Sequence, residues 1–118
     1  EAFYIVQQGI EDAATVDDVM KYSLGRRWNL VGPIASIDLG GLDVFYNIST
    51  YLFDDMDNGT GPNPLLAEKV KEGNLGAKTG QGFFSWQDED GKRIIETRNK
   101  ALLRALKDDA ADAAAAGA

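Results

Sequence analysis

The segment 73–86, GNLGAKTGQGFFSW, joins several glycines to a lysine and a threonine, the residue types that build a phosphate-binding loop. A P-loop follows the pattern G-x-x-x-x-G-K-[ST], but Ala77 stands directly before Lys78, where glycine is required. The dinucleotide pattern G-x-G-x-x-G also fails, because Ser85 occupies the place of its third glycine. Neither phosphate-binding pattern is complete, so the sequence disfavours nucleotide binding by this segment.

An architectural role explains the same glycines better. Glycine adopts backbone angles closed to other residues, so Gly80 and Gly82 are predicted to fold the chain sharply. Phe83 and Trp86 would then cover the neighbouring helices with large apolar surfaces. If φ is positive at Gly82, its replacement by valine is expected to cost more than about 1 kcal/mol.

Catalytic chemistry is restricted by the absence of two residue types. The chain contains no cysteine, which excludes disulfides, thiolate nucleophiles and zinc–thiolate sites. It also contains no histidine, so a mechanism that needs an imidazole base is incomplete within these residues. We therefore predict no catalytic residue, no metal ligand and no cofactor-binding residue in this chain.

The composition indicates a globular protein. Hydrophobic residues make up 44% of the 118 residues, and no apolar run approaches the roughly 20 residues of a membrane span. A net charge of -7 repels nucleic-acid phosphates. Nucleic acid and membrane are therefore not expected as partners, and the lack of cysteine favours a cytoplasmic location.

Helical periodicity and capping signals dominate the chain. A first helix is predicted to end near Gly9, and a second to span 16–24, capped by Thr15 and closed by Gly25. The segment RRWN is predicted to be a connection. Further helices are predicted after Pro33, from Leu42 over an apolar stripe to Phe53, after an Asn63 cap, and along a face marked by Ile95, Leu102 and Leu106.

These elements predict an all-α fold, a compact bundle of five to six helices with one short extended or hairpin segment near 82–95. The pair Gly40–Gly41 either kinks one helix or separates two. Residues 99–118 are predicted to form the end of a C-terminal helix with a frayed tail rich in alanine and aspartate.

The order of the motifs is more specific than any one of them. The segments GRRWNLVGPIASIDLGGLDVF (25–45) and PLLAEKVKEGNLGAKTGQGFFSW (64–86) together resemble the C-terminal domain of the 3-hydroxyacyl-CoA dehydrogenase family. The resemblance covers roughly residues 1–98 and implies a helical fold like that of the 6-phosphogluconate dehydrogenase C-terminal domain. Within the family the chain looks most like 3-hydroxybutyryl-CoA dehydrogenases, with carnitine and gulonate dehydrogenases as relatives.

The resemblance implies that this chain is one part of an NAD-dependent enzyme that oxidises (3S)-3-hydroxyacyl-CoA to 3-oxoacyl-CoA in fatty-acid metabolism. The family binds NAD and places its catalytic groups in an N-terminal Rossmann domain, which these residues do not include. The chain alone is therefore expected to be inactive, and to contribute one wall of the substrate cleft and contacts for a homodimer. Gly32, Pro33 and Lys78 are the candidate residues for binding the acyl-CoA substrate. A free-standing helical interaction module remains an alternative.

Overall fold

The computed structural model describes residues 1–117, which fold into helices joined by turns. The elements are α1 (Ala2–Gln7), α2 (Ala13–Tyr22), α3 (Leu24–Trp28), α4 (Pro33–Gly40), α5 (Leu42–Leu52), a 3-10 turn (Phe53–Asp55), α6 (Pro64–Lys71) and α7 (Glu89–Gly117). Extended pairing in this range is limited to isolated bridges that join Gly76 to Gln81 and Gln81 to Ser85. The predicted all-α class is confirmed.

The chain divides into two units, the first spanning Glu1–Glu68 and the second beginning at Lys69. In unit 1, α1 packs on α2, α2 on α3, and α4 on α5, which continues into the 3-10 turn. The loop before α6 is hydrogen-bonded to two side chains, that of Gln7 in α1 and that of Glu1, the N-cap residue of α1. The Gln7 Oε1 atom accepts a hydrogen bond from Asn63 Nδ2 at 2.8 Å, and Glu1 Oε1 accepts one from the amide of Asp57 at 2.7 Å.

The signals around α6 were predicted correctly. Asn63 Oδ1 accepts a hydrogen bond from the amide of Leu65 at 2.9 Å, and Pro64 is the first residue of the helix. A proline at this position loses no helical hydrogen bond, because the first amides of a helix have no partner within it. Gly73 then follows the helix with φ +77°. Such a positive φ is open to glycine and ends the helix.

Helix α2 begins three residues before the predicted start, because Asp12 and not Thr15 is its cap. The carboxylate of Asp12 accepts a hydrogen bond from the amide of Thr15 at 2.7 Å. This bond stabilises the charged form and lowers the pKa of the Asp12 carboxyl. Aspartate and threonine are both preferred capping residues, and α2 is capped by Asp12, three residues before Thr15.

The segment RRWN was wrongly predicted as a connection, since Arg26, Arg27 and Trp28 lie in α3. Gly25 does not close α2 but lies inside α3. A Cβ atom at Gly25 would lie 2.6 Å from the carbonyl oxygen of Met20. Glycine is therefore needed at this position so that the backbone of α3 can approach that of α2 closely.

The question left open at Gly40–Gly41 is settled in favour of two helices. Gly40 is the last residue of α4, and Gly41 has φ +98° and precedes α5. A residue with this φ interrupts the helical hydrogen-bond pattern, so the chain changes direction between α4 and α5.

The segment near 82–95 does not form a hairpin. Asp88 Oδ1 accepts a hydrogen bond from the amide of Gly91 at 2.8 Å, and α7 starts at Glu89. The DEDG sequence thus caps a helix and does not make a turn between strands. The predicted C-terminal helix extends through the alanine-rich tail as far as Gly117, consistent with alanine having the highest helix propensity. That this tail frays stays a prediction.

Burial of side chains within the described chain is slight. Among residues 1–117 the buried positions are Gly80, Gly82 and Gly91, and no large apolar side chain is buried. Helices in globular proteins are stabilised mainly by burying an apolar face. The apolar faces of each unit are therefore only partly covered by the chain itself. No helix in residues 1–117 is both long and apolar enough to cross a bilayer.

Candidate functional site

The first candidate site, Gly32–Pro33, forms the start of α4 in unit 1. Pro33 is the first helical residue, and Gly32 precedes it with φ -59° and ψ 167°. The carbonyl oxygen of Gly32 accepts hydrogen bonds from the amide and the hydroxyl of Ser36, both at 2.9 Å. Both residues are exposed, and a Cβ atom at Gly32 would meet nothing within 4 Å. The turn is therefore hydrogen-bonded to the first turn of α4, and its backbone is exposed.

The second candidate, Lys78, lies at the tip of a tight turn in unit 2. The amide of Thr79 donates to the carbonyl oxygen of Gly76 at 3.1 Å, so Ala77 and Lys78 occupy the two central positions. Lys78 is exposed. Its ammonium group can act as a point charge for an anionic group such as a carboxylate or phosphate. Gly32–Pro33 lies in unit 1 and Lys78 lies in unit 2.

Several amides of the glycine-rich segment 73–86 are hydrogen-bonded within the segment. Hydrogen bonds of 2.9–3.2 Å join the amides of Gly76, Thr79, Gly80, Gly82 and Trp86 to carbonyl oxygens of Gln81, Gly76, Ala77, Phe84 and Gly80 respectively. The hydroxyl of Thr79 also accepts from the amide of Leu75 at 2.9 Å. A phosphate-binding loop must leave such amides free for the ligand. The hydrogen bonds support the architectural interpretation of this segment.

Gly82 has a different role from the predicted one. Positive φ angles occur at Gly73 (+77°), Gly76 (+86°) and Gly80 (+83°) in this segment, but not at Gly82. A Cβ atom at Gly82 would lie 2.9 Å from Cα and 3.2 Å from N of Gly76. Gly82 is therefore required for close contact between two backbone segments.

The replacement Gly82→Val is still expected to lower the free energy of unfolding by more than about 1 kcal/mol, now because of overpacking. Neither Gly82 nor Gly76 can relieve this contact by rotating a side chain. Thermal melting followed by circular dichroism measures the effect, with Gly61→Val as the control, because a Cβ atom at Gly61 meets nothing within 4 Å. Equal melting temperatures for the two variants would contradict the assigned contact.

The third feature is an apolar groove in unit 1, here called the α5 groove, with a volume of about 550 Å³. Its lining comes from α4, α5, the 3-10 turn and the residue after that turn, and consists of Ile37, Leu42, Phe45, Tyr46, Ile48, Ser49, Leu52, Phe53 and Met56. The hydroxyl of Ser49 donates to the carbonyl oxygen of Tyr46 at 2.7 Å, which satisfies the hydroxyl's donor within its own helix. The groove carries no charged side chain, so it suits an apolar ligand or a protein surface.

The sequence predicted most of the apolar residues that line α5, but not that they border an open groove. The stripe of Leu42, Phe45, Tyr46, Leu52 and Phe53 follows from helical periodicity, and Ser49 was expected as a small contact. Periodicity shows which face of a helix is apolar, and it does not show what covers that face. Among the described residues no group of three or more histidine, cysteine, aspartate or glutamate side chains is placed to hold a metal ion.

The family model for "3-hydroxyacyl-CoA dehydrogenase, C-terminal domain" matches residues 1–86. The chain belongs to the 3-hydroxyacyl-CoA dehydrogenase family. The match includes both candidate substrate-binding segments, Gly32–Pro33 and Lys78, and ends before α7.

Individual members of the 3-hydroxyacyl-CoA dehydrogenase family and their relatives differ in substrate. The chain is 36% identical over 90 residues to a probable 3-hydroxybutyryl-CoA dehydrogenase of Bacillus subtilis, covering 75% of this chain and 30% of that protein. It is 29% identical over 103 residues to 5-formyl-3-hydroxy-2-methylpyridine 4-carboxylate 5-dehydrogenase of Mesorhizobium japonicum, covering 87% of this chain and 33% of that protein.

A solved structure shows the same fold. The crystal structure of a 5-formyl-3-hydroxy-2-methylpyridine 4-carboxylic acid 5-dehydrogenase, described as an NAD+ dependent dismutase, matches with a TM-score of 0.84 and 28% identity. The match covers 91% of this chain and 35% of that one. The chain thus spans about a third of the length of the relatives it matches.

Proposed function

We propose that this chain is the substrate-cleft and pairing domain of an NAD-dependent 3-hydroxyacyl-CoA dehydrogenase. The observation that carries the proposal is the family match over residues 1–86. It is supported by the lack of histidine, since the chain has no imidazole to remove the substrate hydroxyl proton. NAD and the catalytic groups then belong to an N-terminal Rossmann domain, and a cytoplasmic location and a role in fatty-acid metabolism are part of the same proposal.

In this domain the Gly32–Pro33 turn and Lys78 are the proposed substrate contacts. The turn offers an accessible, fixed backbone, and Lys78 offers an exposed cation. A coenzyme A thioester carries several phosphate charges, which a lysine side chain attracts. Homodimer formation is proposed for the partly exposed apolar helices, whose faces the chain does not bury.

A second candidate substrate is an aromatic acid of the kind named for the relative from Mesorhizobium japonicum, which covers 87% of this chain. This substrate lacks coenzyme A but has a carboxylate. Lys78 suits either anion, so its presence does not separate the two. Carnitine and gulonate, the substrates of the other relatives suggested by the motifs, are further alternatives.

A substrate panel on the full-length protein tests the proposal. The rate of NADH formation is measured with (3S)-3-hydroxybutyryl-CoA, the pyridine aldehyde, carnitine and gulonate. We expect the highest kcat/KM with the acyl-CoA. A higher value with any of the others would replace the acyl-CoA proposal, and no NAD-dependent oxidation of a panel member would remove the dehydrogenase assignment.

The charge reversal Lys78→Glu is expected to raise KM for the acyl-CoA about tenfold with little change in kcat, since it removes ground-state binding of an anion. Lys71→Glu is the matched control, because it makes the same charge change at another exposed lysine of unit 2. Steady-state kinetics of both variants measure the difference. Equal KM values would show that Lys78 does not contact the substrate.

A further inference from the structure

The second half of α7 carries an apolar stripe that the chain leaves uncovered. Leu102, Leu103 and Leu106 are 57%, 59% and 64% exposed, while Ile95, nearer the start of the helix, is half-buried. The family match ends at residue 86, so this helix lies outside it. A helix with leucines on one face is stabilised by packing that face against another surface.

The spacing of the stripe is that of a helix pair. Ile95, Leu102, Leu106 and Ala113 follow each other at intervals of seven, four and seven residues. These are the core positions of a heptad repeat, in which apolar side chains face a second helix. The two remaining core positions are polar, Asn99 and Asp109.

The charges on α7 determine which orientation of a second copy fits. Basic residues dominate the stretch 92–107, and the acidic residues Asp108, Asp109 and Asp112 follow it. In a parallel pair every core residue faces its own counterpart, so two Asp109 carboxylates would oppose each other, which is destabilising. In an antiparallel pair the basic stretch of one helix lies beside the acidic stretch of the other.

The antiparallel arrangement also pairs each core position with a suitable partner. Leu102 packs against Leu106 of the second copy, and Ile95 lies opposite Ala113. Asp109 then faces Asn99 of the second copy. The Arg98 guanidinium already donates to Asn99 Oδ1, from Nε at 3.2 Å and from Nη2 at 2.9 Å, so it stands beside the incoming carboxylate. Arg98 and Asp112 lie on the same edge of α7. In the antiparallel pair, Arg98 of each copy therefore lies near Asp112 of the other copy, which gives one ion pair on each side of the twofold axis.

We propose that two copies of this chain pair through α7 in antiparallel orientation, with Leu102 and Leu106 at the centre and Arg98 of each copy beside Asp109 and Asp112 of the other. This specifies one surface for the homodimer in the proposed function. It does not depend on the identity of the substrate. The interface is isologous, so it closes after two copies.

Cysteine cross-linking of the full-length protein tests the orientation. Within these 118 residues the introduced cysteines are the only thiols, and a link counts only when it joins peptides that carry them. The double variant Ile95→Cys/Ala113→Cys is expected to form a covalent dimer with a short thiol-bridging reagent, seen on a non-reducing gel and assigned by mass spectrometry of the linked peptides. Each single variant is expected to stay uncross-linked, since a residue at position 95 or 113 lies about 27 Å along the antiparallel pair from the same position in the second copy. Lys100→Cys/Asp108→Cys on the outer face is the matched control.

A dimer from either single variant would show parallel pairing and overturn the proposal, as would the absence of a dimer from the double variant. In the cross-linking background, Arg98→Asp is expected to reduce the cross-linked fraction several-fold, and addition of Asp112→Arg is expected to restore it. Failure of this restoration would overturn the charge pairing. Dehydrogenase activity is measured separately, so cross-linking without activity would count against the proposed function alone, and activity without cross-linking against α7 pairing alone.

Discussion

Acetoacetyl-CoA and NADH are expected to show no turnover above background when mixed with the 118-residue chain alone. A general base near neutral pH is most often a histidine, and the chain contains none. Among residues 1–117, the Asp12 carboxyl and the Lys21 amine have a shifted pKa, and neither shift is toward neutral pH. The pKa of Asp12 is lowered by its bond to Thr15, and that of Lys21 is raised by its bond to Asp18.

The assay follows NADH absorbance at matched concentrations of the chain and of the full-length protein. The full-length protein is the positive control, and a preparation of the chain with its helical circular-dichroism signal intact excludes a trivial loss of fold. Turnover by the chain that remains after repurification would contradict the proposal that catalysis belongs to an N-terminal domain.

Gly91→Ala is expected to lower the free energy of unfolding by about 2 kcal/mol, as overpacking a filled site does. Helix propensity alone predicts the opposite, since alanine is favoured over glycine inside a helix by about 1 kcal/mol. The structure decides between the two effects. A Cβ atom at Gly91 would lie 2.7 Å from Cα and 2.9 Å from the carbonyl carbon of Trp86, and both are backbone atoms that no side-chain rotation moves away.

Urea unfolding followed by tryptophan fluorescence measures this effect in a Trp28→Phe background, so that Trp86 is the remaining probe in this chain. Gly117→Ala is the matched control, because it lies in the same helix with nothing within 4 Å of the added Cβ atom. We expect that variant to be as stable as the parent or slightly more so. A stabilising effect of Gly91→Ala would show that the start of α7 is not in close contact with the backbone of Trp86.

The ends of a helix could be predicted from the sequence where a single residue caps or ends the helix through its own side chain or backbone angles. Asn63, Pro64 and Gly73 each act within a few residues of their own position, and each was placed correctly. The prediction of Thr15 as the cap of α2 was wrong, because Asp12, a better hydrogen-bond acceptor, caps this helix three residues earlier. Two possible capping residues differ little in the free energy of capping, and the sequence pattern does not show which of them is preferred.

The sequence by itself determined that the chain is helical, which family it resembles and which residue types it lacks, because periodicity, motif order and composition are properties of the chain. Only the tertiary structure decided what Gly25, Gly82 and Gly91 are for, because each is needed where two backbone segments meet. It also showed that the α5 groove and the leucines of α7 remain open. The physical reason is that a pattern fixes where an apolar face lies along a helix, whereas packing decides whether that face is covered.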